Sequence, residues 1–329
     1  MRTARCHALL AVLLLPVLLH LGGCRTGRPQ GSVVRGVVTD PQNQPVSGVE
    51  VRVSGRLVGR TDQSGAFTIH RSSTEDRVAV SFSAPRFVNT TRIYEGRATP
   101  GNTIIIWPRA AAMRVDAATG GTLNFPGGRI TFAPDSFITV GGGRVDGAVD
   151  VAMTVIDVTD ARQVASVPGD FTARMRDGSI QPLESFGLLE LVAQDARGRQ
   201  LELAPDRSAG VAIALPRDRR VPNTIGVYRF EARDGRWLQQ VSSWTAQEAQ
   251  ASTQVTSMGW WNADDPLQTT CMQVHVASCH FCSAADLTFR TPGSRSPGRT
   301  TRVRPVKAGQ ETTEKFACPS RKERTSKSK

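Results

Sequence analysis

Val149, Val151, Met153 and Val155 alternate with Asp150, Ala152 and Thr154, the cleanest period-two stretch in a chain without helical periodicity beyond residue 31. Successive side chains of an extended strand point to opposite faces, so this alternation fits a half-buried strand and argues against a helix. The pattern recurs along the chain. Val34, Gly36 and Val38 alternate with Val33, Arg35 and Val37, and Val49, Val51 and Val53 alternate with Glu50, Arg52 and Ser54. Residues 66–69, 78–83, 91–94 and 103–107 extend the series, and about seven short β-branched runs at this spacing predict a small β-sandwich. Asp40-Pro41-Gln42-Asn43-Gln44-Pro45 and Thr61-Asp62-Gln63-Ser64-Gly65 supply the turn chemistry between them.

A second block of short apolar runs follows at 123–125, 130–132, 137–140, 149–155, 188–193, 201–203, 211–215 and 225–230. Asp234-Gly235 then separates 228–232 from 237–241, and this dipeptide favours a type I′ hairpin turn. The expected architecture is all-β: two tandem β-sandwich domains, 32–108 and 110–262, after a signal peptide. Residues 263–329 are expected to hold a partial third strand module and a disordered basic tail.

Gly36-Val37-Val38-Thr39-Asp40, Pro45-Val46-Ser47-Gly48-Val49-Glu50-Val51 and Thr61-Asp62-Gln63-Ser64-Gly65-Ala66-Phe67 together resemble the carboxypeptidase regulatory-like domain, a transthyretin-like sandwich. One departure is Asn43, where that family's turn usually has glycine; asparagine tolerates the left-handed conformation nearly as well. The resemblance implies a non-catalytic accessory domain, of the kind found beside surface enzymes, receptors or other sandwiches. Gly120-Gly121-Thr122-Leu123-Asn124-Phe125-Pro126-Gly127-Gly128-Arg129-Ile130 resembles the opening of a ZU5-like domain. Val167-Pro168-Gly169-Asp170-Phe171, Leu183-Glu184-Ser185-Phe186-Gly187-Leu188-Leu189-Glu190-Leu191 and Trp260-Trp261-Asn262 are similar to segments of the cartilage intermediate layer protein family. That resemblance implies a matrix-like or adhesive scaffold and transfers no catalytic residue.

The amino terminus gives the expected address. Arg2 and Arg5 precede an apolar run over 8–21 that ends in Leu21-Gly22-Gly23-Cys24, the layout of a secretory signal peptide. The run is short of the roughly 20 apolar residues a spanning helix needs, and Pro16 interrupts it. Cys24 after small residues resembles the lipobox of bacterial lipoproteins, which implies cleavage before Cys24, lipidation of its thiol and a tether over 24–31. Cleavage near Gly23 without lipid also fits the residues. Arg25 follows the cysteine where lipoproteins kept at the inner membrane commonly carry Asp, so in a two-membrane bacterium the resemblance implies the outer membrane. The expected location is the cell envelope, with the membrane as partner through the lipid.

Charge excludes a nucleic-acid surface. The formal net charge is +12, but residues 290–329 hold twelve Lys/Arg against three Glu, and Arg2 and Arg5 lie in the leader. The remaining 27 basic and 26 acidic residues nearly cancel, so no phosphate-binding face is expected. Every lysine lies at or beyond Lys307, and 25–270 has no cysteine. Cys271, Cys279, Cys282 and Cys318 gather late, spaced for disulfides or free thiols rather than a zinc site. The strand-like Thr270-Cys271-Met272-Gln273-Val274-His275-Val276 gives way to a Ser/Arg/Thr/Pro/Lys-rich stretch, as if the native frame were lost over 277–281 by a reading-frame error or a truncated repeat.

No catalytic constellation, metal site or cofactor motif stands out. His70 falls on a strand and reads as a surface histidine rather than a general base. Asp40 and Asp62 read as turn residues, because two aspartates do not make the six to eight oxygens of a calcium site. Gly141-Gly142-Gly143 lacks the Lys-Ser/Thr and helix start of a phosphate loop. Trp107 and Trp237 read as core. Trp260 and Trp261 are the candidate ligand-binding residues: neighbours on a strand face opposite ways, so one fills the core while the other is exposed or sits against another module. The expected function is non-enzymatic, a binding or structural module of the envelope with a polysaccharide or envelope protein as partner. The alternative is an accessory subunit of a secreted hydrolase or peptidoglycan-processing complex.

Overall fold

The computed structural model describes residues 32–71, 77–95, 102–218 and 220–267, together with four strands beyond them. The first unit contains β1 (Ser32–Thr39), β2 (Glu50–Val53), β3 (Arg56–Arg60), β4 (Ala66–Arg71), β5 (Arg77–Ser83), β6 (Thr90–Glu95) and β7 (Asn102–Ile105). They form a three-stranded sheet, β4-β1-β7, facing a four-stranded sheet, β3-β2-β5-β6. Alternation sets the faces: Val34 and Val38 are buried, whereas Arg35 and Val37 are exposed. Phe67 and Phe82 meet edge to face at 4.9 Å across the sandwich, among Val51, Ile69, Val80 and Ile104. Such a pair contributes about 0.5–1.5 kcal/mol beyond its buried area.

Both turns behave as their residues require. Asn43 adopts φ +62°, and Asp40 Oδ1 accepts from the Gln42 and Gln44 amides at 2.9 and 2.8 Å. Asp62 Oδ1 accepts from the Ser64 and Ala66 amides, each at 2.9 Å. Gly65 has φ +72°, and a Cβ there would lie 2.5 Å from the Val38 carbonyl oxygen, so the turn can press against β1 only without a side chain.

The second unit comprises β8 (Met113–Asp116), β9 (Gly121–Phe125), β10 (Gly128–Phe132), β11 (Phe137–Thr139), β12 (Ala148–Ile156), α1 (Ala161–Val164), β13 (Thr172–Arg174) and β14 (Ile180–Asp195). It continues through β15 (Gln200–Leu203), β16 (Ala209–Ala214), β17 (Thr224–Glu231), β18 (Arg236–Gln247), β19 (Gln250–Val255) and β20 (Gly259–Pro266). Its strands join into a 13-stranded sheet with the order β11-β15-β14-β20-β17-β18-β19-β16-β10-β9, and β12, β8 and β13 pair off that path. Ile130, Met153, Leu189, Val211, Trp244 and Trp261 lie in the core that its inner faces enclose. Val149, Val151 and Met153 point inward as the alternation requires, but Ala152 and Thr154 are buried too. The chain entering from the first unit covers that side, where the Ala110 amide donates to Thr154 Oγ1 at 2.9 Å.

The Asp234-Gly235 hairpin differs from expectation. A type I′ turn needs positive φ at both central residues, yet Gly235 (φ +63°) has it and Asp234 does not. The loop is longer: the Gly235 amide donates to the Glu231 carbonyl at 2.8 Å, and the strands resume at Arg236. Beyond residue 267, Gln273–Val276 pairs with Thr312–Lys315, and Ala285–Phe289 pairs with Arg299–Val303. The remainder of the stretch expected to be disordered, residues 1–31 with Cys24, and Cys271, Cys279, Cys282 and Cys318 lie outside the described residues.

Candidate functional site: the junction between the two units

Trp260 and Trp261 are consecutive on β20 and face opposite ways, as strand geometry dictates. Trp261, 1% exposed, belongs to the main core of the second unit and donates from Nε1 to the Ser257 carbonyl at 3.0 Å. Trp260, 5% exposed, belongs to a second apolar cluster on the outer side of the sheet, with Leu183, Leu188, Tyr228, Phe230 and Trp237. Val88 of the first unit enters the same cluster. The Trp260 Nε1–H donates to the Asn89 carbonyl at 2.7 Å. As ligand-binding residues these two are corrected: both rings are enclosed, and neither offers a face on which a sugar could stack.

Asn89 is held from its other side as well. Its amide donates to Glu190 Oε1 at 2.8 Å, and Glu190 accepts from Arg109 Nε at 3.0 Å. The Glu190 side chain is 1% exposed and that of Arg109 12%. Burial pushes the Glu190 carboxyl above its ordinary value, while Arg109 and the Asn89 N–H pull the other way. A buried ion pair is weak evidence for stability in itself, but removing one partner strands the other. Glu190 therefore fixes the angle at which residues 88–89 and 109 meet β14.

Three further arginines bridge the units. Arg92 on β6 donates to the Val167 carbonyl at 2.8 Å and to the Ala165 carbonyl; desolvation lowers it to about 10, still cationic at neutral pH. Arg77 on β5 donates to the carbonyls of Asp234 and Gly235 at 2.9 and 3.2 Å and pairs with Asp170 at 3.1 Å. Arg162 in α1 donates to the Pro41 carbonyl at 3.2 Å. The segment carrying Ala165, Val167 and Asp170 begins at α1, whose N-cap Asp160 accepts from the Arg162 amide at 2.8 Å. Val164, Val167 and Phe171 tuck beneath it into the same cluster as Trp260. Gly235 completes the contact: a Cβ there would lie 2.2 Å from Ile93 Cδ1 and 3.0 Å from Ala79.

The other candidates are used locally. Trp237 and Trp244 are fully buried, and Trp107 is partly buried against the Trp260 cluster. His70 is exposed on β4. The Gly142 and Gly143 amides bond to the carbonyl and hydroxyl of Thr139 at 2.8 and 2.9 Å, so they close a turn rather than face an anion. Asp40 and Asp62 hold their turns, and among the described residues no group of three or more His, Cys, Asp or Glu is placed to hold a metal. Among them, too, no helix is long and apolar enough to cross a membrane. Sequence reasoning missed Asn89, Arg92, Arg109 and Glu190. Glu190 alone left a trace, a carboxylate inside the run Leu188-Leu189-Glu190-Leu191.

No protein-family model matches the chain. Two curated proteins are similar to it: cartilage intermediate layer protein 2 of Mus musculus, 26% identical over 179 residues and 50% of this chain, and cartilage intermediate layer protein 2 of Homo sapiens, 24% identical over 210 residues and 59% of this chain. The match covers 15% of the mouse protein and 18% of the human one. This distant homology supports a domain like that of the cartilage intermediate layer proteins within this chain. Among solved structures, a shaft pilin SpaA of Lactobacillus rhamnosus GG aligns at 8% identity with TM-score 0.21, covering 57% of this chain and 89% of the pilin. BcpA, the major pilin subunit of Bacillus cereus, aligns at 9% identity with TM-score 0.21, covering 88% and 96%. Scores at that level do not establish a shared fold.

Proposed function

We propose that this chain is a non-enzymatic structural and adhesive module of the cell envelope, held to a membrane, the outer one in a two-membrane cell, by lipid on Cys24. The observation that carries the proposal is the junction. Arg77, Arg92, Arg109 and Arg162 bind carbonyls and carboxylates, and Glu190 accepts from the Asn89 amide, contacts that lock one unit onto the other. A body whose buried charge is spent on holding its own parts is suited to bearing position or load rather than to bond chemistry. The distant likeness to cartilage intermediate layer protein 2 supports the same reading. In it the first unit is a carboxypeptidase regulatory-like sandwich, supported by the Asp40 and Asp62 turns. Its glycan-binding specialisation needs a surface other than Trp260 and Trp261.

The test is anchoring. Mass spectrometry of the membrane-extracted protein is expected to find an acylated Cys24 at the mature amino terminus, and Cys24→Ser is expected to release the chain from the membrane fraction. An unmodified terminus, or a protein recovered from the cytosol, refutes the proposal.

A further inference from the structure

The outer face of the large sheet has two halves. One is covered by the first unit and the α1 segment. The other, on β9, β10, β16, β19, β18 and the start of β17, is open. Its registers align a single row across these strands: Asn124, Arg129, Ala212, Ser252, Thr245 and Thr224. All but Ala212 are exposed. The inward neighbours Leu123, Ile130, Val211, Ala251 and Ile225 belong to the core, so the row faces solvent by the alternation of the pleat.

Hydroxyl and amide groups dominate this face. Among the described residues paired in it, Arg129 is the one outward-facing charged side chain, although charged residues make up 21% of the chain. Its polar groups touch in places: Thr122 and Thr131, opposite one another in the adjoining row, place their hydroxyl oxygens 2.9 Å apart.

We infer that this face binds an extended neutral polysaccharide strand, a deepening that rests on the envelope reading above. Charge decides against the other polymers. A nucleic acid or polyanionic glycan needs several cations to offset its desolvation and supplies counterion release only through them; this face has one. A hydrophobic partner needs contiguous apolar surface, which threonine, serine, asparagine and glutamine do not give. A neutral glycan matches on both counts: its hydroxyls exchange water for protein hydrogen bonds singly, with no charge to desolvate. Strands lie about 4.8 Å apart, so the six-strand row spans roughly 24 Å, and several weak contacts can act along one polymer.

The experiment uses the purified full chain with cellohexaose and hexa-N-acetylchitohexaose, followed by titration calorimetry and by retention on insoluble cellulose and chitin. At least one of the two glycans is expected to bind. The double variant Ser252→Glu, Thr245→Glu, which places two carboxylates on exposed positions of the row, is expected to weaken binding at least tenfold with unchanged circular dichroism. Thr68→Glu, exposed on β4 of the first unit, is expected to leave it unchanged. Absence of binding to both neutral glycans, or equal binding by the double variant, overturns the inference. Sedimentation showing a dimer that the double variant disperses overturns it in favour of a second copy. Membrane fractionation separates the two failures: a chain retained in the envelope that binds neither glycan loses this inference alone.

Discussion

Trp260→Ala tests whether the two units are energetically one body. The side chain is 5% exposed, and truncating a buried tryptophan costs about 3–5 kcal/mol. That is a large share of the 5–15 kcal/mol by which domains are usually stable. The loss has a direction that an ordinary core mutation lacks. Removing the indole leaves the Asn89 carbonyl without its 2.7 Å donor and opens the cluster around Val88, so the first unit loosens as well as the second. Urea unfolding followed by circular dichroism reads the first effect as a lower midpoint. Limited trypsin digestion reads the second, because Arg92 is shielded by its bonds to the carbonyls of Ala165 and Val167. Cleavage after Arg92 is expected to accelerate in Trp260→Ala, whereas Trp260→Phe, which keeps most of the packing, shows a smaller change. A midpoint shift of less than about 1 kcal/mol, or a destabilised second unit with unchanged cleavage at Arg92, refutes the reasoning.

Glu190→Ala is expected to cost about 3–5 kcal/mol by stranding the Arg109 guanidinium, and Glu190→Gln less, both read from urea midpoints. Because burial raises the Glu190 carboxyl above 4.5, its stabilising contribution is fullest below that value and falls as pH rises through the raised one; Glu190→Gln is expected to flatten this dependence. Tyr228→Phe is expected to raise stability by about 1 kcal/mol, since its buried hydroxyl finds no partner among the described residues, and a lower thermal midpoint counts against that. Gly235→Ala combines a positive φ with a Cβ 2.2 Å from Ile93; a loss of about 2–4 kcal/mol is expected from backbone strain and overpacking, with the trypsin site at Arg92 again exposed.

The strands were legible where one face is buried and the other wet. Val34 and Val38 against Arg35, or Leu123 against Asn124, announce their faces because water and core select opposite residues. β3 escaped notice because Arg56, Leu57, Val58, Gly59 and Arg60 are all exposed, so no alternation was imposed on it. The junction was illegible for another reason. Asn89 and Glu190 bond across 101 residues, and nothing local to either marks the other. Trp260 shows the limit most plainly: strand geometry gives it the opposite face from Trp261, but whether that face meets solvent or another unit is decided by residues far away in the chain.

The first unit begins on β1 and ends on β7, and these two strands are parallel neighbours, paired from Gly36–Asn102 to Thr39–Ile105. Tension applied through the amino-terminal end of β1 and resisted at the carboxyl end of β7 would drag the two strands lengthwise in opposite senses. The four registered rungs would then be strained simultaneously in shear instead of peeling one after another. The first sandwich is thereby wired as a mechanical clamp, resistant to tension drawn between its two chain ends.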